Sequence, residues 1–170
     1  MEQADSYYDI IADSYSGLHK EEQMKKLRIM HENLSVKKSG LLLDVGCGPC
    51  FTPEIFNCKI IGIDPSKNLL SKGRESKVVT LMQGFAEALP FPGNHFDIVI
   101  SVTAVQNFSD IKKGISEIAR VAKSDAAVSC LKRSDKLSLV RQEILNHFNI
   151  EKEIEEEKDI IFIIKKIRAI

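Results

Sequence analysis

Two carboxylates, Asp44 and Asp64, each close a short apolar run and stand at the start of a turn. Asp44 is followed by Val45-Gly46-Cys47-Gly48-Pro49. Glycines at 46 and 48 let a backbone turn sharply and pass close to a ligand that any Cβ would strike. Such a Gly-x-Gly turn alone also occurs in dinucleotide sites. The carboxylate ahead of it argues for a different ligand, because Asp44 would repel a pyrophosphate but suits a cationic amino-acid group, directly or through water. Asp64 ends the second run, where an acidic side chain accepts hydrogen bonds from both hydroxyls of a ribose. Its plain alternative is a helix cap. Further along, Ser101-Val-Thr-Ala-Val-Gln-Asn-Phe108 carries Thr103, Gln106 and Asn107, uncharged groups suited to orienting an acceptor molecule. Cys47 and Cys50 form a Cys-x-x-Cys spacing, but no second ligand pair accompanies it, so no metal is expected. The histidines at 19, 31, 95 and 147 lie apart from these residues in sequence and are read as surface groups, His19 being the best placed of them for proton transfer.

The elements around these residues follow from periodicity. Met24, Leu27, Ile29 and Met30 fall on one stripe of a helix over 21–34. Leu41-Leu42-Leu43 and residues 59–63 read as strands buried on both faces. Asp64 or Ser66 caps a helix running through Arg74, and residues 78–82 and 96–102 give two more strands. Ser109 is expected to cap a helix over 110–123, with Ile111, Ile115, Ile118 and Val121 along its buried face. A strand over 126–131, a helix over 137–148 and two strands over 150–155 and 160–164 complete the pattern. Strands alternating with helices at this rhythm predict a doubly wound, mostly parallel α/β sheet of seven strands with helices on both faces. The last two strands have no helix between them and should form an antiparallel hairpin.

Composition narrows the function. A chain of 170 residues with 44% apolar content makes one ordinary core, and its formal net charge of zero gives no global field for nonspecific nucleic-acid binding. Two local basic stretches, Lys20 to Lys38 and Lys132 to Arg141, are read as solvated helix faces in preference to phosphate contacts. No apolar run reaches the length a membrane helix needs. Nothing resembles a secretory segment, and a reduced cytoplasmic setting is expected for the four cysteines. The expected organisation is a single domain over 1–170, with a lid and helix in 1–36 and the sheet core in 37–170.

Taken in order, Leu-Asp-Val-Gly-Cys-Gly, Gly-Ile-Asp and Ala-Glu-x-Leu-Pro-Phe-x-x-x-x-Phe-Asp resemble the class I S-adenosylmethionine-dependent methyltransferases, in particular the ubiquinone/menaquinone-biosynthesis group, over residues 7–132. The resemblance implies S-adenosylmethionine as cofactor, held by Asp44, Gly46, Cys47, Gly48, Asp64, Pro65, Phe85, Ala86 and Thr103. It also implies a tyrosine-bearing N-terminal segment, with Tyr8 or Tyr15 closing over the site. Two departures stand out: Phe85 replaces the family's usual aspartate beside adenine, and Cys50 replaces the third glycine. The stretch from Ser101 to Asn107 is similar to that of eukaryotic small-subunit rRNA guanine-N7 methyltransferases, which use a small zinc-ribbon activator protein. An activator or a homodimer is therefore an expected partner, and the methyl acceptor is a small molecule, RNA or protein. Two other functions fit the same residues: a non-catalytic module that binds S-adenosylmethionine for regulation, and a nicotinamide-linked oxidoreductase.

Overall fold

A computed structural model describes residues 17–167. Helix α1 (Gly17–Asn33) leads into β1 (Leu41–Val45) and β2 (Lys59–Asp64), joined only by a 3-10 turn at Thr52–Glu54. There follow α2 (Lys67–Leu70), β3 (Val79–Gln83), β4 (Phe96–Ser101), α3 (Ile111–Val121), β5 (Ala122–Leu131), α4 (Leu137–His147), β6 (Phe148–Glu155) and β7 (Asp159–Lys166). Two further 3-10 turns, Ala86–Ala88 and Val105–Asn107, follow β3 and β4.

The seven strands form one sheet in the order β3-β2-β1-β4-β5-β7-β6. All neighbours from β3 to β5 pair in parallel, and β7 runs antiparallel to both β5 and β6. This is the doubly wound sheet with a C-terminal hairpin that the residue pattern predicts. The strand order reverses between β1 and β4, so the carboxyl ends of those strands form the crevice where ligands of such sheets bind.

Each face of the sheet has its own core. On one, Ile111, Ile115, Ile118 and Val121 of α3 and Val140 and Ile144 of α4 pack on Val45, Val99, Val128 and Phe162. On the other, Met24, Leu27 and Met30 of α1 pack with Leu42, Ile60, Ile98, Ile161 and Ile163. Leu27 and Met30 are at most 2% exposed, and burying each contributes about 1.5–3 kcal/mol. Helix α1 thus covers the face that the 3-10 turn between β1 and β2 leaves bare.

Three local expectations are corrected. Asp110, rather than Ser109, caps α3: its carboxylate accepts from the Lys113 amide at 2.9 Å. An aspartate carboxylate at this position also complements the helix dipole. The helix after β2 ends at Leu70, well short of Arg74, because Glu75 and Ser76 spend their side chains on the backbone amides of Leu81 and Val78 and so stabilise a turn. Strand β5 begins at Ala122, directly at the end of α3, so Ala122 and Lys123 belong to the sheet and not to the helix.

Candidate functional site

The crevice is built around Asp44. This carboxylate ends a buried strand and is 3% exposed. Its Oδ2 accepts the Thr52 hydroxyl, which the short turn after β1 delivers, and lies 4.0 Å from the Cys50 thiol. Its Oδ1 is buried with no hydrogen-bond partner. Burial pushes the carboxyl up to about 7, with the Asp64 charge adding to the rise and the Thr52 hydroxyl opposing it. Asp44, Gly46, Cys47, Pro49, Phe51 and Thr52 line a partly open pocket together with Gln23 and Leu27 of α1 and Val102.

The glycine turn is pinned from below, the amides of Gly46 and Cys47 both donating to the Ile63 carbonyl at 2.8 and 3.1 Å. Gly46 has φ +73°, and a Cβ there would stand 2.6 Å from the Ala104 methyl, so only glycine lets the β1 and β4 loops meet. Asp64 holds the turn from the side: its Oδ2 accepts from the Gly48 amide and its Oδ1 from the Ser66 amide, each at 2.8 Å. Burial raises its carboxyl, and those two amides oppose the rise. Asp64 is therefore also a loop organiser, with Ser66 serving as the actual cap of α2 through its bond from the Leu69 amide. Ribose hydroxyls would have to share its carboxylate with two amides, which the second lone pair on each oxygen allows.

Farther round the crevice, Pro65 is half-buried and its carbonyl accepts from Gln83 Nε2 at 2.9 Å. Phe85 is 47% exposed beside the buried Ala86. The Cys47 and Cys50 sulfurs both pack over Gly62, where a Cβ would meet them at 2.8 and 3.1 Å. Burial pushes the Cys47 thiol well up. Among the described residues, no group of three or more His, Cys, Asp or Glu side chains is arranged to hold a metal.

The three residues expected to face an acceptor separate. Asn107 is exposed. Gln106 is buried, its Nε2 donating to the Thr103 carbonyl at 2.9 Å while its Oε1 has no partner. Thr103 turns its hydroxyl into the protein, where it donates to Asp159 Oδ2 at 2.8 Å and accepts from Lys26 Nζ at 2.9 Å. Lys26 also donates to Asp159 Oδ1 at 2.9 Å, and the Thr103 amide donates to Ser129 Oγ at 2.8 Å. Thr103 adopts φ +53°, a left-handed conformation that costs a β-branched residue on the order of 1–3 kcal/mol. The Lys26–Asp159 pair has no local sequence signature: the residues are 133 apart and meet only because α1 crosses the sheet at the start of β7. Tyr7, Tyr8 and Tyr15 lie outside the described residues.

The motif after β3 acts as scaffold. Glu87 accepts from the Asp110 amide at 3.1 Å. Glu117 accepts from the Leu89 amide at 2.9 Å and pairs with Arg120, which returns bonds to the Leu89 and Phe91 carbonyls. Asp97 ties the Leu41 amide to Lys123 at the opposite end of the sheet. The basic stretches are largely spent as well: Lys20 pairs with Glu54, Lys25 with Glu156 and Glu157, Lys132 with Glu155 and Arg141 with Glu153.

A parallel sheet of this order, with an acidic glycine turn after β1 and a second acid ending β2, defines the class I S-adenosylmethionine-dependent methyltransferase fold. The family model described as "Methyltransferase domain" matches residues 43–130, and the chain belongs to that family. It is 32% identical over 136 residues to the uncharacterized methyltransferase YcgJ of Bacillus subtilis, covering 72% of this chain and 52% of that protein. It is 31% identical over 153 residues to a demethylmenaquinone methyltransferase of Bacillus cereus, covering 78% of this chain and 63% of that protein. The chain spans about half the length of the first curated relatives it matches. Among solved structures, YcgJ superposes with TM-score 0.67 at 18% identity over 84% of this chain and 95% of that one. A putative methyltransferase in complex with the Haloferax volcanii Trm112 activator superposes with TM-score 0.78 at 13% identity, covering 94% and 97%. The cofactor of this family is S-adenosylmethionine. No helix among the described residues is long and apolar enough to cross a membrane.

Proposed function

We propose that this chain binds S-adenosylmethionine in the β1–β4 crevice and transfers its methyl group to an acceptor presented at the loop after β4. The observation that carries the reading is Asp44 Oδ1, a buried carboxylate oxygen with no donor, lining a cavity at the glycine turn. A buried carboxylate is stable as an ion only when a cation or several donors meet it, and the ammonium of the methionyl group is such a cation. Gly46 lines the same pocket while its missing Cβ makes room for Ala104, and Asp64 has lone pairs left for the ribose. Pro65, Phe85 and Ala86 border the adenine side, where the exposed Phe85 ring offers a face for packing instead of a charged hydrogen bond. Cys47, Gly48 and Thr103 complete the walls, and Tyr15 is assigned to the lid.

The bound sulfonium supplies an electrophilic methyl group. The protein's task is then to align acceptor and donor and to exclude water, which needs no strong base. Asn107 and the buried Gln106 are the polar groups nearest that role. The domain boundaries 1–36 and 37–170 and a cytoplasmic setting belong to this proposal. Calorimetry with S-adenosylmethionine, S-adenosylhomocysteine and NAD tests the ligand, and a preference for NAD would overturn it. Transfer of a labelled methyl group into fractionated extract tests turnover. Tight binding with no labelled fraction would instead favour a regulatory module.

A second reading adds a small activator protein. It is supported by the likeness to the methyltransferase of the Trm112 complex over 94% of this chain and by the edge strand β3, flanked by the exposed side chains of Val78 and Phe85. Co-expression with a Trm112-type protein, followed by co-purification, distinguishes it from the homodimer.

A further inference from the structure

We infer that Gln23 of α1 receives the carboxylate of the bound amino-acid group while Asp44 takes its ammonium, so that the site reads the two ends of its ligand unequally. The inference rests on the cofactor reading above and adds a residue that lies outside the glycine-turn motif.

Helix geometry brings Gln23 to the site. It stands one turn before Leu27, and side chains four apart share a helix face. Leu27 is 2% exposed within the core, which fixes that face, and both residues line the pocket in front of Asp44. Gln23 is itself only 8% exposed, yet its carboxamide makes no hydrogen bond with any described residue. A polar group so deeply covered is costly to leave without a partner.

A carboxylate that enters beside Asp44 meets a like charge and needs a donor. From Gly46 to Cys50 the turn has none to spare. The amides of Gly46 and Cys47 go to the Ile63 carbonyl, that of Gly48 to Asp64 and that of Cys50 to the Cys47 carbonyl, and Pro49 has no N–H. The Thr52 hydroxyl is given to Asp44. Among the described residues no lysine or arginine lines the pocket. Lys26 is turned to Thr103 and Asp159, and Lys20, over the Phe51 ring, pairs with Glu54 at 2.7 Å. The Gln23 carboxamide, with two N–H donors, is the side chain left to meet that carboxylate.

A neutral amide holds an anion less firmly than a cation would, whereas Asp44 offers a full charge to the ammonium. The amine is therefore the end that decides affinity, and nucleoside ligands that keep an aminopropyl chain but lack the carboxylate belong to the class this site accepts.

The test compares adenosine thioethers by calorimetry at pH 8, where Asp44 is ionised. The ligands are S-adenosylhomocysteine, its aminopropyl analogue without the carboxylate and its carboxypropyl analogue without the amine. Wild type should bind the aminopropyl form about tenfold or more tighter than the carboxypropyl form, which strands the Asp44 charge. Equal binding or the reverse order overturns the unequal reading. Gln23→Met keeps an unbranched side chain of similar length and removes the amide. It should weaken S-adenosylhomocysteine by about tenfold, the scale of a hydrogen bond to a charged group, and leave the aminopropyl form within about twofold of wild type. Equal loss of both ligands, or loss of neither, reduces Gln23 to a packing residue and overturns its role. Lys20→Met is the competing arm: a loss confined to the carboxylate-bearing ligand there, and absent from Gln23→Met, assigns the carboxylate to Lys20 and overturns the inference alone. Wild-type protein that binds none of these ligands overturns the cofactor reading and the inference together.

Discussion

Asp44 and Asp159 are both buried at the carboxyl end of the central sheet, and their surroundings are opposite. Asp159 meets an ammonium and a hydroxyl, one on each oxygen. Asp44 meets one hydroxyl and a distant thiol, and its second oxygen meets nothing. A buried carboxylate without a cation rises in pKa until it holds a proton near neutrality, which is the behaviour of Asp44. The contrast separates a carboxylate whose two oxygens are both engaged from one with an oxygen left open, although the sequence presents both as an aspartate beside an apolar run.

The contrast breaks most visibly on removing the cation. Lys26→Met should destabilise the protein by roughly 3–5 kcal/mol, since it strands a buried charge. Asp44→Asn at pH 8 should leave stability unchanged or raise it. Urea unfolding measures both, and equal effects would abolish the distinction.

Asp64 sharpens it from the other side, since it holds two backbone amides and is also the proposed ribose contact. Asp64→Ala should weaken S-adenosylhomocysteine binding by about 1–3 kcal/mol while also loosening the glycine turn. Calorimetry showing unchanged affinity would confine Asp64 to the turn.

The smallest effect is in pH. The Asp44 carboxyl lies higher in the folded protein than in the unfolded chain, so the native state holds the extra proton and its stability falls as pH rises from roughly 4 to about 7. Ligand binding runs the other way, because the ammonium needs the carboxylate. Affinity for S-adenosylhomocysteine should rise about tenfold between pH 6 and 8, and Asp44→Asn should flatten that dependence. A wild-type profile already flat over this range would remove Asp44 from the ammonium site.

The fold was legible because its signals are local. Three leucines ending in Asp44, or four apolar residues at helical spacing from Ile111 to Val121, declare a strand and a helix without reference to anything distant. The glycine turn and Asp64 were legible for the same reason. The choice of Asp110 over Ser109 as cap was not, because neighbouring residues of equal capping strength are decided by the angle at which the chain enters the helix. Nor could Thr103 be seen as bound to the protein's own charges, since its partners come from α1 and β7 at the far ends of the described chain. Sequence names Thr103, Gln106 and Asn107 as polar candidates; only the tertiary arrangement shows which are already engaged.

Helix α1 lies over β1, β2, β4 and β7 in place of a crossover helix between β1 and β2, and this has a consequence for how the chain folds. In a β-α-β unit the covering helix is made between its two strands and docks locally. Here Leu27 and Met30 belong to the same core as Ile161 and Ile163, so that face cannot close until residues 159–166 have been synthesised. The opposite face also takes Phe162 and Ile164 from β7, but its helices α3 and α4 lie next in sequence to the strands they cover. Contacts of such long sequence separation slow folding because loop closure precedes their reward. In a nascent chain Met24, Leu27 and Met30 are made long before the β7 residues that complete their core.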